Sequence, residues 1–517
     1  MTNSLRLVVT FLGLTVIMPA GFTQTVQTPP PANAAAELTL NECVNRALTK
    51  NFDVTLQRFT TNAASSDIEI AKATFDPNLS LDTNRSFDRS APNTTTTTTT
   101  DPVTGIVTTT AASLSTQQES QDSRLSVTQK IVTGATITAT GVLDRSKHSP
   151  TSSTYGLNPA YTGNVGLIVR QPLLKGAGTG VNRAAIQRAR LGLERSNYDL
   201  KSTVLTVVRN VESAYYNLAF AREQREVFRF SLEVAQKLLD ENKARRSTGV
   251  ATDLEVLQSD VQVANAQRDL ILSEQTVRNS EDALMQLIGQ FEFDQTPGTV
   301  RFNDEPVPVI SFDTSYKLAR DNQPDYLSTS LSLEQLKLDL KTTKNARRPQ
   351  LDLTGSVGEA SLEDSYHRAS SEVWNGKGYN WQVDLSVTMP WGFRAESARY
   401  RQAQLAFNRE QAHLQQIDQS ILVQVRSAVR AVGTNQENVR ISTLATELSR
   451  KQFEQEKARY EAGLSTFRFV QQSQAALDTA RVNELQAKVN LRVSLADLAR
   501  LEGSSLARYK INLAQTP

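Results

Sequence analysis

The 517-residue chain is nearly charge-balanced, with 56 basic against 54 acidic side chains, which excludes bulk attraction to nucleic acid as the basis of its function. Only 39% of its residues are apolar and its mean hydropathy is -0.37, which suits elongated helices with much surface per residue better than a compact globule. The single cysteine, Cys43, excludes an internal disulfide framework and any cysteine-based zinc site.

The chain opens MTNSLRLVVTFLGLTVIMPAGFTQT, with Arg6 ahead of an apolar run over 7–18 and small or polar residues after it. That is the layout of a secretory signal, taken as 1–24 with cleavage between 20 and 36. The run is short for a bilayer-spanning helix, and no other segment reaches about 18 consecutive apolar residues. The mature chain is therefore expected to be exported and to lack a transmembrane helix. Cys43 follows LTLNE, well downstream of the apolar run, and reads as a small helix residue and not as a lipid-attachment site.

Beyond the leader the sequence repeats. A shift of about 214 positions superposes Leu200 on Leu414, Val211 on Val425, Ala214 on Ala428, Gly249 on Gly463, Val256 on Val470, Leu284 on Leu498 and Gly289 on Gly503. Earlier in each half a different shift pairs Asp53 with Asp325, Asp67 with Asp339, Lys72 with Lys344 and Pro77 with Pro349. The first repeat is read as 37–300 and the second as 301–508, leaving 509–517 as a tail. Each runs helix, strands, long helix, glycine, second helix.

In the first repeat a helix over 41–74 is closed by Pro77, and in the second a helix over 313–347 is closed by Pro349. The long helix over 182–248 carries Leu200, Val204, Val207, Val211, Ala214 and Leu218 at alternating steps of four and three, a heptad seam. At 1.5 Å per residue it is a rod roughly 100 Å long, while the helix over 251–288 is about 57 Å and the N-terminal helix about 50 Å. The two short helices therefore fit end to end beside the long one. Gly249 and Gly463 interrupt otherwise helix-forming runs, as befits the turn of a helical hairpin.

Between the helices, segments such as 79–83, 125–131, 135–140, 351–354 and 383–389 alternate apolar with polar residues, and 165–174 is more continuously apolar. Trp381 and Trp391 bracket one strand at about ten residues, the length of a tilted membrane-crossing strand, and Trp374 lies just upstream. All three tryptophans are read as an aromatic girdle. Long polar connections over 86–120, which includes the threonine run Thr94 to Thr100, over 144–161 and over 359–378 lie at the strand ends away from the helices. One chain offers about four to six strands, too few to close a barrel alone. Open edges cannot face lipid, so other copies must complete it. Three copies give twelve strands, or eighteen if both strands flanking the turn KIVTGA (130–135) belong to the barrel.

The two tips, TGVATDLEVLQS and AGLSTFRFVQQS, the segments ending at Pro77 and Pro349, and the exits RQPLLKGAG and TMPWG resemble the TolC-like outer-membrane efflux protein family over nearly all of the mature chain. The resemblance implies a homotrimer: an outer-membrane β-barrel, mostly α by residue count, continuous with a long periplasmic α-helical barrel. It implies an exit duct for a tripartite efflux or type I secretion system, with a periplasmic adaptor and an inner-membrane pump of the resistance-nodulation-division or ABC type as partners, outer-membrane lipid around the barrel, no nucleic acid and no cofactor. It places adaptor-docking tips at Gly249, Val250, Ala251, Thr252, Gly463, Leu464, Ser465 and Thr466. Around them Arg245, Arg246, Asp253, Glu255, Arg459, Tyr460 and Glu461 suggest a gate in which Tyr460 and the basic residues bond to Asp253 or Glu255 across neighbouring hairpins. Phe469 and Gln472 stand where some relatives place acidic residues, so no acidic cation ring is expected.

Other functions find little support. Gly176-x-Gly178-x-Gly180 follows a strand but lacks the spacing of a dinucleotide cradle. His148, His367 and His413 are scattered and have no ligand spacing, and no nucleophile, base and acid converge, so the chain is not read as an enzyme. The alternative from another class is a secreted or surface coiled-coil structural or adhesive protein with the threonine run as a spacer.

Overall fold

The computed structural model describes residues 38–149, 156–289, 298–300, 302 and 306–511; the leader segment lies outside these. In chain order the elements are α1 (Leu40–Lys50), α2 (Phe52–Ala73), β1 (Asn78–Arg89), β2 (Asn93–Thr100), β3 (Val107–Leu114), β4 (Gln117–Lys130), β5 (Thr136–Ser149), β6 (Ala160–Pro172), α3 (Thr179–Asn182), α4 (Ala184–Ser247) and α5 (Asp253–Leu287). The second repeat follows as α6 (Phe312–Asn322), α7 (Pro324–Ala346), β7 (Gln350–Glu363), α8 (Tyr366–Glu372), β8 (Tyr379–Thr388), α9 (Arg394–Glu461), α10 (Phe467–Glu502) and the single turn α11 (Ser505–Arg508). Among the described residues no helix is long and apolar enough to cross a membrane.

The first helix of each repeat is broken where one continuous rod was expected. Asn51 adopts extended backbone, φ -67 and ψ 133, and its side chain caps α2 by accepting from the Asp53 amide at 2.9 Å. In the second repeat Gln323 is extended in the same way, φ -69 and ψ 119, because Pro324 follows it as the first residue of α7. The breaks mark a waist. There the Asn51 amide donates to the Leu287 carbonyl at the end of α5, 3.0 Å away, and Gly289 passes so close that an added Cβ would sit 2.6 Å from the Lys50 carbonyl oxygen. Gly503 passes Asn322 less tightly, an added Cβ lying 3.0 Å from the Asn322 Cβ. The short helices thus stack end to end beside the long ones, α2 above α5 against α4, and α7 above α10 against α9. Since α4 also packs on α7 and α10, each chain presents four rods abreast.

The heptad seam is buried as its spacing requires: Val204, Val207, Val211 and Leu218 are at most 2% exposed, with Leu200 and Ala214 packed partly buried against them. This seam meets Cys43, Val44 and Leu48 of α1 at the waist. Burial pushes the Cys43 thiol up to about 12, so it is an inert core residue. Glu212 is buried in the same region and accepts a hydrogen bond from the Tyr509 hydroxyl. Burial raises its carboxyl above the ordinary range, opposed by Tyr509, Arg508 and Arg209.

The described strands fall into two sheets. Six of them form one sheet in the order β1-β4-β5-β6-β7-β8, every neighbouring pair antiparallel. The threonine-rich connection is not a loop: β2 and β3 pair as a separate hairpin between β1 and β4, consistent with the β-branched preference of threonine. The connection after β7 carries the short helix α8, packed against β6 and β7.

Two outcomes follow. Gly289→Ala places a Cβ against the Lys50 backbone at φ +68, whereas Gly249→Ala at φ +73 meets nothing within 4 Å. Both pay the left-handed penalty of about 1–2 kcal/mol, so thermal unfolding should show a larger midpoint drop for Gly289→Ala. The raised Glu212 carboxyl means that the folded chain holds this proton more tightly than the unfolded one. Its contribution is complete below the ordinary carboxylate range and lost as pH rises through the raised value. Glu212→Gln should therefore raise the melting temperature more at pH 7.5 than at pH 4.

Candidate functional site

The α4–α5 and α9–α10 hairpins reach their turns by the same backbone chemistry. Gly249 and Gly463 take left-handed conformations, φ 73 and 76. The next amides, of Val250 and Leu464, bond back to the carbonyls of Arg245 at 2.9 Å and Arg459 at 2.8 Å, closing each helix end. Thr252 then starts α5 with a full capping box, its hydroxyl accepting from the Glu255 amide at 3.3 Å while the Glu255 carboxylate accepts from the Thr252 amide at 2.8 Å. Thr466 starts α10 without a side-chain cap bond; beside it the Ser465 hydroxyl donates to Glu456. Val250 and Leu464 stand out from the two apices, 69% and 73% exposed.

The charged and aromatic residues near the tips are committed differently from the expected gate. The Tyr460 hydroxyl donates not to Asp253 or Glu255 but to the Asn242 amide oxygen of α4, at 2.6 Å. Asn242 in turn donates to the Ser259 hydroxyl of α5, at 2.8 Å, and that hydroxyl donates to the Glu255 carbonyl at 2.8 Å. Asn242 and Ser259 are fully buried and Tyr460 nearly so, so one polar thread ties α9, α4 and α5 together. The Arg245 guanidinium lies over the Tyr460 ring, 4.5 Å from its centroid. Burial raises the Tyr460 phenol, with Arg245 opposing and Glu255 adding to the rise, so it remains a donor at neutral pH. Arg246 pairs with Asp253 at 2.5 Å on the surface, Arg459 with Glu456 at 3.4 Å and Lys457 with Glu461 at 3.7 Å. Glu255 serves its own helix cap.

Asn242 and Ser259 were missed by the sequence reading, yet the signal for Asn242 was present. It follows Leu238 by four positions, continuing the apolar stripe of α4, and an amide in such a seam marks a specific partner.

At the other end, the sheet sorts its two faces by register. One row across all six strands runs Leu79, Val127, Ala139, Leu167, Val357 and Trp381, each directly opposite the next. The adjoining row on the opposite face runs Ser80, Ser126, Thr140, Gly166, Gly358 and Asn380. Near the helices one face is thus suited to hydrocarbon and the other to water, as a membrane barrel requires, while farther out the first face carries Arg85, Glu119 and Arg145, ion-paired at 2.5 and 3.4 Å. Trp381 sits on the outer part of β8 and Trp391 just past its inner end, 71% and 98% exposed. Trp374 lies in the connection after α8, off the strand.

The decoys resolve as local structure. The Gly176 amide donates to Asn345 at 2.7 Å and its carbonyl accepts from Asn182 at 2.8 Å, so this glycine turn joins β6 to the helices. His148 falls on β5, His367 on α8 and His413 on α9, and no metal-holding cluster occurs among the described residues.

A sequence profile described as Outer membrane efflux protein matches residues 135–290 and 315–504, well over half of the chain. The chain is 25% identical over 343 residues to the pyoverdine export outer membrane protein OpmQ of Pseudomonas aeruginosa, covering 64% of this chain and 69% of that one. It is 23% identical over 312 residues to the outer membrane protein TolC of Escherichia coli, covering 58% of this chain and, at 62%, less than two thirds of TolC. Among solved structures, the CmeC outer membrane channel of Campylobacter jejuni superposes with a TM-score of 0.64 at 17% identity, covering 92% of this chain and 90% of that one. A duplicated rod-and-strand unit is matched in both its copies, in sequence as well as in fold, and on that ground the chain belongs to the outer membrane efflux protein family and is an outer-membrane channel with a periplasmic helical part.

Proposed function

We propose that three copies of this chain form the exit duct of a tripartite export system, docked at the hairpin tips on a periplasmic adaptor and fed by an inner-membrane pump. The observation that carries this reading is the sorting of one antiparallel sheet into an apolar and a polar face, on a chain whose other end is two helical hairpins about 50 Å or more in length. A single chain leaves two sheet edges unpaired, and hydrocarbon does not tolerate them. The partner surface comprises Gly249, Val250, Ala251 and Thr252 with Gly463, Leu464, Ser465 and Thr466. Val250 and Leu464 are its apolar anchors, since each projects from a turn whose amide closes the preceding helix. The pump belongs to the resistance-nodulation-division or ABC type, and it selects the cargo.

The thread Tyr460, Asn242 and Ser259 holds the inner mouth narrow by keeping the second hairpin against the first. It replaces the Tyr460 to Asp253 or Glu255 pairing as the lock.

Reconstitution in planar bilayers tests the channel: purified trimers should insert and conduct, whereas a detergent-free monomer that forms no pore would refute the reading. Tyr460→Phe leaves the buried Asn242 oxygen without its donor, a loss of about 1–3 kcal/mol, and should raise single-channel conductance, as should Asn242→Ala. Asp253→Asn removes only an exposed ion pair, worth under about 1 kcal/mol, and should change conductance little. Equal effects from all three would discard the thread as the lock. Val250→Asp combined with Leu464→Asp should abolish cross-linking to the adaptor and export while leaving trimer and conductance intact.

A further inference from the structure

We propose that the outer-membrane pore is an eighteen-stranded barrel, closed where β1 of one copy pairs antiparallel with β8 of the next. This rests on the channel reading and goes beyond it, because four strands per chain would also make a channel. The repeat equates β1 with β7 and β6 with β8, so the additional unit of the first repeat is the hairpin between them, β4 and β5 with the turn at 131–135. The family match to the first repeat begins at residue 135, which leaves β1 and β4 to be placed by this chain's own registers.

Those registers put all six strands in the wall. The apolar row from Leu79 to Trp381 and the polar row from Ser80 to Asn380 cross β4 and β5 without changing face. A hairpin folded into the lumen or over the outer mouth would have no reason to present Val127 and Ala139 in line with the lipid-facing residues of its neighbours. Direction agrees as well. Insertion of a whole hairpin adds two strands and preserves the alternation, so β1 runs away from the helices and β8 returns to them. The two free edges are therefore antiparallel to one another, as every internal pair is. Both edges are open in the single chain: all of β8 and nearly all of β1 are exposed. The openness continues down the rods, with Phe59 and Ile70 exposed on α2 below β1 and Leu405 and Val423 exposed on α9 below β8. One continuous seam on each flank fits a second copy of the same chain.

Width is compatible with this count. At about 4.8 Å between strands tilted by about 40°, eighteen strands close a ring about 36 Å across and twelve a ring about 24 Å across. Four rods per chain from three chains, at about 9 Å between axes, close a ring about 34 Å across. Six strands per chain meet the helical duct flush.

The test is inter-subunit disulfide trapping in membranes, in a Cys43→Ala background. Asp82→Cys on β1 is combined in turn with Gln382→Cys, Asp384→Cys and Ser386→Cys on β8, all on the polar face. Oxidation should yield covalently linked subunits for one or two of these pairs and none for Asp82→Cys with Leu385→Cys, which faces the other way. Cross-linking of Thr140→Cys on β5 to β8 instead means four strands per chain and overturns the proposal while the channel stands. So does a conducting trimer without β1–β8 cross-links in any register. Counting strands in an electron cryomicroscopy map of the unsubstituted trimer decides the same question without any variant: eighteen supports it and twelve refutes it. A chain that remains monomeric and forms no pore refutes the channel reading and this proposal together.

Discussion

The constraint on which the rest depends is the hydrogen bonding of the backbone along β1 and β8. Inside the chain each internal strand finds partners on both sides, while these two find one each. An exposed edge in water is only a liability, but in hydrocarbon each unpaired amide or carbonyl costs several kcal/mol. Everything about the chain's shape answers to this. The sheet is one-layered and faces lipid on one side and water on the other, so it has no second layer to hide its edges. The rods below it are arranged four abreast with open flanks in line with the open strand edges.

Much of this was legible in the sequence because periodicity is a local property. The heptad seam from Leu200 to Leu218 fixed the buried face of α4, and the alternation in β8 fixed which residues share a face. The two glycines located the tips because the repeat sets them at equivalent positions and Gly249 is the only glycine over 194–288. The breaks at Asn51 and Gln323 were harder to see. Pro324 announces one of them, whereas Asn51 breaks the helix only because its side chain caps α2 and reaches the end of α5, a partner far away in sequence. The strand count also needed registers, as turn residues near Gly134 are compatible with a hairpin inside or outside the wall.

The tips show the limit of reading charge from sequence. Arg245, Asp253, Glu255 and Tyr460 lie close together in the chain or its repeat, and opposite charges invite pairing. The structure divides them by burial instead. Tyr460 is inside, and a buried hydroxyl must find a partner, so it takes the buried Asn242. Asp253 and Arg246 are outside and pair with each other at little energetic consequence. Glu255 is claimed by the helix it begins. Which of these residues ties the two hairpins together is decided by desolvation, and that is set by the packing of α4, α5 and α9, not by spacing along any one of them.

Pairing between free edges also determines how copies can associate. Two β8 edges meeting across a two-fold axis would leave two β1 edges open, and the reverse contact would leave two β8 edges open. Such isologous pairs close nothing. Only the head-to-tail contact of β1 with β8 consumes one edge of each kind at every junction, and it continues until the ring closes. Charge does not make this choice: Asp384 of β8 and Asp82 and Asp88 of β1 all lie on the polar face, while Arg85 lies on the other and pairs with Glu119. Assembly and membrane insertion are therefore one event for this chain, and its stability cannot be separated from the presence of its copies.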